Sequence, residues 1–230
     1  MPSQRSERAE SRERTKDGRP KQGMAAQILA QATRLFAARG FVGASLQDIA
    51  KAVGIRKPSL LYHFPSKDQL RRSVLEQMLE HWNEVVPRLL RAATSGKEQF
   101  DAIGEETINF FSEDPDRARV LLRELLDRPE EMGPLVRERV QPWTEVVSQY
   151  IRKGQAQGRV HADVDPEAYV AAIINLILST IAVHAVVGPL LGGEASSPTI
   201  HPRLLDEVLR VARSSLFIPE PAQAALPRSS

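Results

Sequence analysis

The chain has 230 residues, with 31 Lys and Arg against 29 Asp and Glu, and it contains no cysteine. The lack of cysteine excludes disulfides, thiolate metal sites and thiol nucleophiles, and a reducing cytoplasm is the expected compartment. The first residues are charged and polar without an apolar stretch, so no secretory signal is predicted.

Charge is distributed unevenly along the chain. Residues 1–72 hold 15 Lys and Arg against 6 Asp and Glu, a net +9, whereas residues 73–230 carry a net −7. Phosphate neutralisation is the main sequence-independent source of affinity for DNA. The asymmetry therefore predicts a basic N-terminal head that contacts DNA and an acidic body that does not.

Residues 1–20 are dominated by charged and polar side chains and are expected to be disordered when free. Two interpretations stay open: an arm that enters the minor groove through its arginines, or a passive tail, because acids are interleaved among them. The arginines are Arg5, Arg8, Arg12, Arg14 and Arg19, and the acids are Glu7, Glu10, Glu13 and Asp17.

A first helix is predicted from about Gln22 to Arg39, where Gly40 ends it. Its apolar face, with Phe41 after it, is expected to form the small core on which the next two helices rest. The residues of this face are Ile28, Leu29, Ala32, Leu35 and Phe36.

A helix-turn-helix is predicted between Ser45 and Lys67. Ser45 and Asp48 have the spacing of a capping box at the start of the first of its helices. Gly54 can end that helix in the left-handed conformation at no steric cost. Pro58 suits the first turn of the second helix, where its missing amide donor is not needed.

The second helix of this unit offers cations, hydroxyls and an aromatic donor, with no acid until Asp68. Such side chains are suited to contact phosphates and base edges. A plainer alternative is a short helical hairpin with a solvated basic face, but several independent helix-turn-helix signals coincide here and favour DNA binding. The exposed residues are expected to be Arg56, Lys57, Ser59, Tyr62, His63 and Lys67.

This segment resembles the DNA-binding signature of the TetR/AcrR family of tetracycline-repressor-like transcription regulators. Two positions depart from the family pattern: Leu61 stands where members usually carry tyrosine, and Arg56 stands where they carry a small hydroxyl cap. The second change exchanges a cap for a cation. The resemblance rests on Ile49-Ala50, Val53-Gly54-Ile55, Lys57-Pro58-Ser59-Leu60 and His63-Phe64-Pro65-Ser66-Lys67.

The predicted DNA contacts fall into base contacts and phosphate contacts. The base contacts are chosen because the end of one helix and the start of the next would face the major groove. Base edges are expected to be contacted by Gln47, Lys57, Pro58 and Ser59. Phosphates are expected to be contacted by Ser45, Arg56, Tyr62, His63 and Lys67.

The rest of the chain is predicted to be helical, so the fold class is all-α: a three-helix DNA-binding head joined by a long helix to a helical body. The long helix would run from Lys67 to about Ala93, and the resemblance implies that it transmits shifts of the body to the head. Later helices are predicted over 97–112, 115–128, 134–157, 165–187 and 202–217, with a break at Gly133-Pro134. The predicted divisions are a tail (1–20), the DNA-binding domain (21–67), a ligand-binding and dimerisation domain (68–218) and a flexible tail (219–230).

The predicted helix over 165–187 is apolar on nearly every side, and no charged residue occurs from Ala168 to Gly193. Its length would span a bilayer, but polar residues interrupt it and no second such segment follows, so no membrane partner is expected. The alternative is a helix buried between the body core and a partner subunit. The family dimerises through a four-helix bundle of this kind, and two heads would then meet a palindromic operator. The predicted interface residues are Ile177, Ile181, Leu205, Val208, Leu209, Ala212 and Leu216.

The resemblance also implies a small, often largely apolar effector inside the body. For the apolar and aromatic candidates ordinary core packing is the favoured interpretation, because large apolar residues at helical spacing fill interiors by default. Asn175 and His184 are polar groups in a charge-free helix, so each needs a partner, either a ligand or a hydrogen bond within the protein. The candidates are Met78, Trp82, Phe110, Phe111, Leu122, Trp143, Val147, Tyr150, Asn175 and His184.

An enzyme is not predicted. The five histidines are scattered without metal-site spacing, and neither a phosphate-binding glycine loop nor a nucleophile elbow occurs, so no cofactor or metal is expected. Three hypotheses remain: a homodimeric, effector-released repressor; a DNA-binding dimer without a small-molecule input, which a solidly packed body would favour; and a ligand-binding or enzymatic helical protein with a vestigial helix-turn-helix.

Overall fold

The computed structural model describes residues 23–92, 96–192 and 202–219. In these ranges the regular structure is helical, apart from an isolated antiparallel bridge between Val160 and Phe217. The chain divides into two compact units between Val74 and Leu75, here called the head and the body. The predicted N-terminal tail with its arginines, and nearly all of the predicted C-terminal tail, lie outside the described residues.

The predicted all-α fold with a helix-turn-helix head is confirmed. Helix α4 begins in the head and ends in the body, and a 3-10 turn, Gly188–Leu191, follows α10. The helices are α1 (Met24–Gly43), α2 (Leu46–Val53), α3 (Lys57–His63), α4 (Lys67–Ala92), α5 (Gly96–Ser112), α6 (Pro115–Asp127), α7 (Pro129–Arg139), α8 (Gln141–Ala156), α9 (Pro166–Ala182), α10 (His184–Val187) and α11 (Pro202–Leu216).

The head has a small apolar core contributed by α1 to α4. The apolar face predicted for the first helix is buried at Ile28, Ala32 and Phe36, whereas Leu29 and Leu35 are half-buried. Gly40 interrupts α1 with φ 69°, so the regular helix stops at the predicted place before one further turn. The same core takes in Ile49, Ala50, Leu60, Phe64 and Leu70.

Helix α9 is the central element of the body. It packs against α5, α6, α8 and α11. Ile177, Leu178 and Ile181 are buried, whereas Ala172 and Asn175 are exposed on another side. In the described ranges, no single helix is long and apolar enough to cross a membrane. Only α9 and the segment His184–Leu191 taken together, bent by 66° to each other, reach the required length and apolar composition.

Two predicted helices are divided in the structure. The helix predicted over 134–157 is replaced by α7 and α8, which separate at Val140 rather than at Gly133-Pro134. Pro142 stands in the first turn of α8, where the lack of an amide donor is tolerated. The helix predicted over 165–187 ends at Ala182, because Val183 leaves helical geometry with ψ 8°.

Candidate nucleic-acid interface and internal cavity

Helix α2 of the head begins with the predicted capping box. The Ser45 hydroxyl accepts from the Asp48 amide at 3.1 Å, and the Asp48 carboxylate accepts from the Ser45 amide at 3.3 Å. A further bond from the Ser45 hydroxyl holds the pKa of the Asp48 carboxyl below its ordinary value. The cap is therefore fully formed above the ordinary pKa of aspartate and is lost as the pH falls through the lowered one.

A sharp turn connects α2 to α3, which we call the recognition helix. Gly54 adopts the left-handed conformation with φ 80°, as predicted, and a residue with a side chain would be strained there. Pro58 lies in the first turn of the recognition helix, and Leu60, on the inner side of the same helix, is completely buried. The side of the recognition helix opposite Leu60 is therefore accessible to a partner.

The exposed side of the recognition helix carries four of the residues predicted to contact DNA, Lys57, Pro58, Ser59 and Tyr62. Tyr62 is 85% exposed and lies edge-on to His63, with ring centroids 5.4 Å apart, whereas Leu61 is half-buried. An aromatic side chain this exposed contributes little to the core. Of the predicted contacts, His63 and Lys67 are half-buried, and the exposed ones are Ser45, Gln47, Arg56, Lys57, Pro58, Ser59 and Tyr62.

Lys67 has a structural role beside its predicted contact with phosphate. Its ammonium lies 4.4 Å from the centre of the Phe41 ring and donates to the Val42 carbonyl at 3.4 Å. Arg71 lies over the same ring at 5.1 Å and is buried. These contacts connect the start of α4 to the end of α1 and hold the Lys67 charge at the surface of the head.

The recognition helix lacks a side-chain cap. Arg56 occupies the N-cap position, and its side chain makes no capping hydrogen bond. Serine accepts from the first-turn amides at this position, whereas arginine cannot. The departure noted in the sequence therefore leaves the start of α3 without this stabilisation.

We expect Arg56→Ser to raise the free energy of unfolding of the head by about 0.5–1 kcal/mol by adding a cap. It should also reduce the salt dependence of DNA binding by about one phosphate contact, since the cation is lost. Chemical denaturation and binding titrations at several salt concentrations measure the two effects. Arg56→Ala is the matched control, because it removes the cation without adding a cap. Equal stability of the two variants would contradict the capping argument.

The body contains a partly open cavity of about 540 Å³. It lies among α5, α8, α9 and α11, with residues 217–219 beside it. A cavity of this size, lined mainly by apolar side chains, is typical of small-molecule sites. The apolar and aromatic lining residues are Leu90, Phe100, Ile103, Trp143, Val147, Tyr150, Ile151, Val160, Tyr169, Val170, Ile173, Ile174, Ile177, Leu209, Ala212, Leu216, Phe217, Ile218 and Pro219.

Three of the ten predicted effector residues line this cavity: Trp143, Val147 and Tyr150. Four others, Met78, Trp82, Phe110 and Phe111, do not. Trp82 packs against Phe110 and Phe111 with ring centroids 5.2 and 6.1 Å apart, and Met78 is buried. The prediction is corrected for these four, because their apolar surface belongs to a core cluster.

The remaining three predicted effector residues also lie away from the cavity lining. His184 is buried, and its Nδ1 lies 2.7 Å from the Ile181 carbonyl oxygen, so its polar partner is within the protein. Asn175 is exposed on α9, and Leu122 is half-buried in α6. Of the two alternatives for His184, the structure supports the internal hydrogen bond.

Several cavity residues were not predicted. Phe100 meets Phe217 edge-on at 5.5 Å, although the two are far apart in the sequence. Tyr169 donates its hydroxyl to the Ala212 carbonyl, and burial raises its pKa to about 12. Gly104 allows α5 to approach α11, since a Cβ there would lie 2.8 Å from Leu209 Cδ2. No local pattern signals these long-range contacts.

Five of the seven predicted dimer residues are buried within the single chain, so this prediction is corrected. A side chain that is already inaccessible in one protomer has no surface left to bury against another. The buried residues are Ile177, Ile181, Val208, Ala212 and Leu216, whereas Leu205 and Leu209 are half-buried. The exposed side of α9 presents instead Ala168, Ala171, Ala172, Asn175 and Ser179.

The described ranges contain no group of three or more His, Asp or Glu side chains placed to hold a metal ion. His81 is close to a single carboxylate, that of Glu106, at 3.6 Å, and it stacks on Phe110 at 4.5 Å. Three features of the described ranges are candidates for contact with a partner: the exposed side of the recognition helix, the body cavity and the exposed side of α9.

Comparison with known proteins agrees with this architecture. Residues 28–74 match the model of bacterial regulatory proteins of the tetR family, and residues 97–211 match the model of the tetracyclin repressor-like C-terminal domain. The chain is 26% identical over 133 residues to IcaR, a negative transcriptional regulator of the icaADBC biofilm operon in Staphylococcus aureus, covering 58% of this chain and 70% of IcaR.

A further relative is a transcriptional activator, and a solved structure shows the same fold at low sequence identity. The transcriptional activator FasR of Mycolicibacterium smegmatis is 29% identical over 102 residues, covering 44% of this chain and 47% of FasR. The ketosteroid transcriptional regulator KstR2 of Mycobacterium tuberculosis superposes with a TM-score of 0.67 at 15% identity, covering 86% of this chain and 96% of KstR2.

Proposed function

This chain belongs to the tetR family of bacterial regulatory proteins and is a DNA-binding transcription regulator. From that premise we propose that it is a homodimeric repressor, released from a palindromic operator by a small, largely apolar effector. The observation that carries the proposal is the recognition helix. Its inner side is fixed by fully buried Leu60, while its outer side exposes Lys57, Ser59 and Tyr62 without an acid.

The head has the charge that the proposed DNA contact needs. Residues 23–74 contain eight Lys and Arg against two Asp and Glu. One of these acids, Asp48, is engaged in the capping box. Gln47, Lys57, Pro58 and Ser59 are the proposed base contacts, and Ser45, Arg56, Tyr62, His63 and Lys67 are the proposed phosphate contacts.

The proposed dimerisation through α9 and α11 is supported chiefly by the exposed surface of α9. The exposed side of α9 is uncharged from Ala168 to Ser179, and Val186, just beyond it, is 78% exposed. Val211 on α11 is 40% exposed. Small, uncharged side chains allow two helices to approach closely, and a two-fold dimer would present two recognition helices to an inverted repeat.

The body cavity favours an effector-responsive regulator over a DNA-binding dimer without a small-molecule input. A body that served only for dimerisation would be expected to pack solidly, whereas this one contains a partly open cavity of about 540 Å³. IcaR, which spans more of this chain than FasR, is a negative regulator, and this supports repression as the proposed direction. The cytoplasm, where bacterial DNA lies, is the proposed compartment, and no enzymatic activity is proposed.

Selection of bound fragments from random duplex DNA tests the proposal. The purified full chain is incubated with the pool at physiological salt in the presence of non-specific competitor. We expect enrichment of an inverted repeat whose half-sites are spaced by about one helical turn or a multiple of it. If a folded dimer enriches no sequence, specific DNA recognition is contradicted.

A further inference from the structure

Several polar side chains in the interior of the body cavity are already hydrogen-bonded to the main chain, whereas the buried indole N–H of Trp143 has no partner among the described residues. Gln99 donates its side-chain amide to the Leu90 carbonyl at 2.9 Å, and Thr107 donates its hydroxyl to the Ile103 carbonyl at 2.7 Å. Tyr169 donates to Ala212. These polar lining groups are committed to the main chain, so a ligand in the interior is held mainly by apolar contact.

The charged lining residues are concentrated at one end of the cavity. Lys153 lies in the last turn of α8, and Arg159 follows shortly after, with its amide bonded to the Gly154 carbonyl at 3.0 Å. The Ile218 amide donates to the Arg159 carbonyl at 3.0 Å, which brings the chain after α11 to the same place. We call this the basic end of the cavity.

A third cation belongs to the basic end. Lys97 lines the cavity in the first turn of α5, three residues before Phe100. Phe100 contacts Phe217, the residue next to Ile218. No Asp or Glu occurs among the described lining residues, and the side chain of Arg159 donates to the neutral amide oxygen of Gln157. Lys153 and Arg159 therefore meet no acidic side chain within the described lining of the cavity.

The cavity is elongated away from the basic end. Lining residues extend along α5 from Lys97 to Thr107 and along α8 from Lys153 back to Trp143. At about 1.5 Å per helical residue, each run covers ~15 Å. An extended hydrocarbon advances ~1.25 Å per carbon, given bonds of about 1.52 Å at angles near 111°. The length therefore suits a chain of roughly 12 carbons.

The volume of the cavity is also compatible with a hydrocarbon chain of roughly 12 carbons. At 540 Å³ the cavity lies within the ~300–1,000 Å³ range of small-molecule sites, so it has room for such a chain with a compact head. A single chain with a compact anionic head uses both the length of the cavity and its charged end.

We infer that the effector is a single-chain amphiphile with an anionic headgroup: its hydrocarbon chain lies among the apolar lining residues, and its head is bound by Lys153 and Arg159. This inference rests on the proposed function, because it assumes that the cavity takes an effector. It narrows the ligand from a largely apolar molecule to one with a carboxylate or similar anion at one end. Charge-assisted hydrogen bonds from the two cations supply the selectivity.

The test compares three probes that share a 12-carbon chain: dodecanoate, 1-dodecanol and dodecyltrimethylammonium, each below its micelle concentration. Binding to the full chain is followed by tryptophan fluorescence, since Trp143 lines the cavity, and by calorimetry. We expect dodecanoate to bind at least about 10-fold more tightly than the alcohol and the cationic probe to bind most weakly.

Variants locate the headgroup. The double variant Lys153→Ala/Arg159→Ala should weaken dodecanoate binding by roughly 10- to 100-fold and leave 1-dodecanol unchanged. Arg137→Ala is the control, because Arg137 is exposed on α7 and does not line the cavity. Both side chains of the double variant are exposed, so thermal denaturation should show a folded protein. Equal binding of acid and alcohol, or no effect of the double variant on dodecanoate, would overturn the inference.

A DNA-binding measurement separates this inference from the proposed function. The operator obtained by selection is titrated with the protein in the presence and absence of dodecanoate. If dodecanoate binds through the basic end but leaves operator affinity unchanged, the ligand class stands and the proposed release fails. If the operator is bound specifically but the alcohol and the acid bind equally, the regulator stands and the anionic ligand is excluded.

Discussion

Replacing Lys57 with alanine is expected to lower affinity for the selected operator by roughly 10- to 100-fold and to change which bases are preferred. Lys57 is exposed in the first turn of the recognition helix, next to Pro58. A lysine at this place would donate to base edges in the major groove, and each good base contact contributes about 1–3 kcal/mol of discrimination. Repeating the selection with the variant, together with competition titrations on single-base operator changes, measures the effect.

Lys67→Ala is the contrasting variant. It removes a cation proposed to contact phosphate, so it should weaken all DNA sequences alike and lower the salt slope by about one. The head must be shown to remain folded, because the Lys67 ammonium also contacts Phe41 and the Val42 carbonyl. If both variants merely scale affinity for every sequence by the same factor, the assignment of Lys57 to bases and Lys67 to phosphates is wrong.

A second large effect is expected from Ala172→Arg on the exposed side of α9. The single protomer accommodates arginine there, since Ala172 faces outward. In the proposed dimer, two unpaired guanidinium groups would meet an uncharged surface, which costs several kcal/mol. Because each 1.4 kcal/mol is tenfold, the dimer dissociation constant should rise by at least about 100-fold. Sedimentation equilibrium measures this change directly.

Operator affinity should fall together with dimerisation in the Ala172→Arg variant, since one head contacts only one half-site. Ala156→Arg is the matched control: it adds the same charge at an exposed position at the end of α8, outside α9 and α11. A variant at Ala172 that stays fully dimeric would place the partner surface elsewhere. Monomers that keep full operator affinity would contradict recognition of an inverted repeat by a dimer.

The two departures from the family pattern have different structural consequences. Arg56 leaves the recognition helix without a side-chain cap. Leu61 is half-buried, while the neighbouring Tyr62 is 85% exposed on the helix surface. The aromatic hydroxyl is thus one position further along the chain, and the proposed phosphate contact of Tyr62 depends on that shifted placement.

The sequence alone was sufficient to predict the head. Its organisation depends on interactions between residues close in the chain: the Ser45–Asp48 capping box, the left-handed Gly54 and the first-turn proline Pro58 are all local features. Helical periodicity likewise identified Ile28, Ala32 and Phe36 as core residues. These rules hold whatever lies further along the chain, so the all-α fold and the tetR-type helix-turn-helix could be predicted from the sequence.

The body was decided by tertiary structure. An apolar stripe shows that a helix face will be covered but not by what, so Ile181 and Val208 were predicted at a partner surface and are buried inside the protomer instead. Trp82 was predicted in the ligand site and packs in a core cluster. The cavity and its basic end depend on contacts such as Phe100 with Phe217, which form only when the helices assemble. Periodicity is a property of one helix, whereas a cavity is a property of several helices packed together.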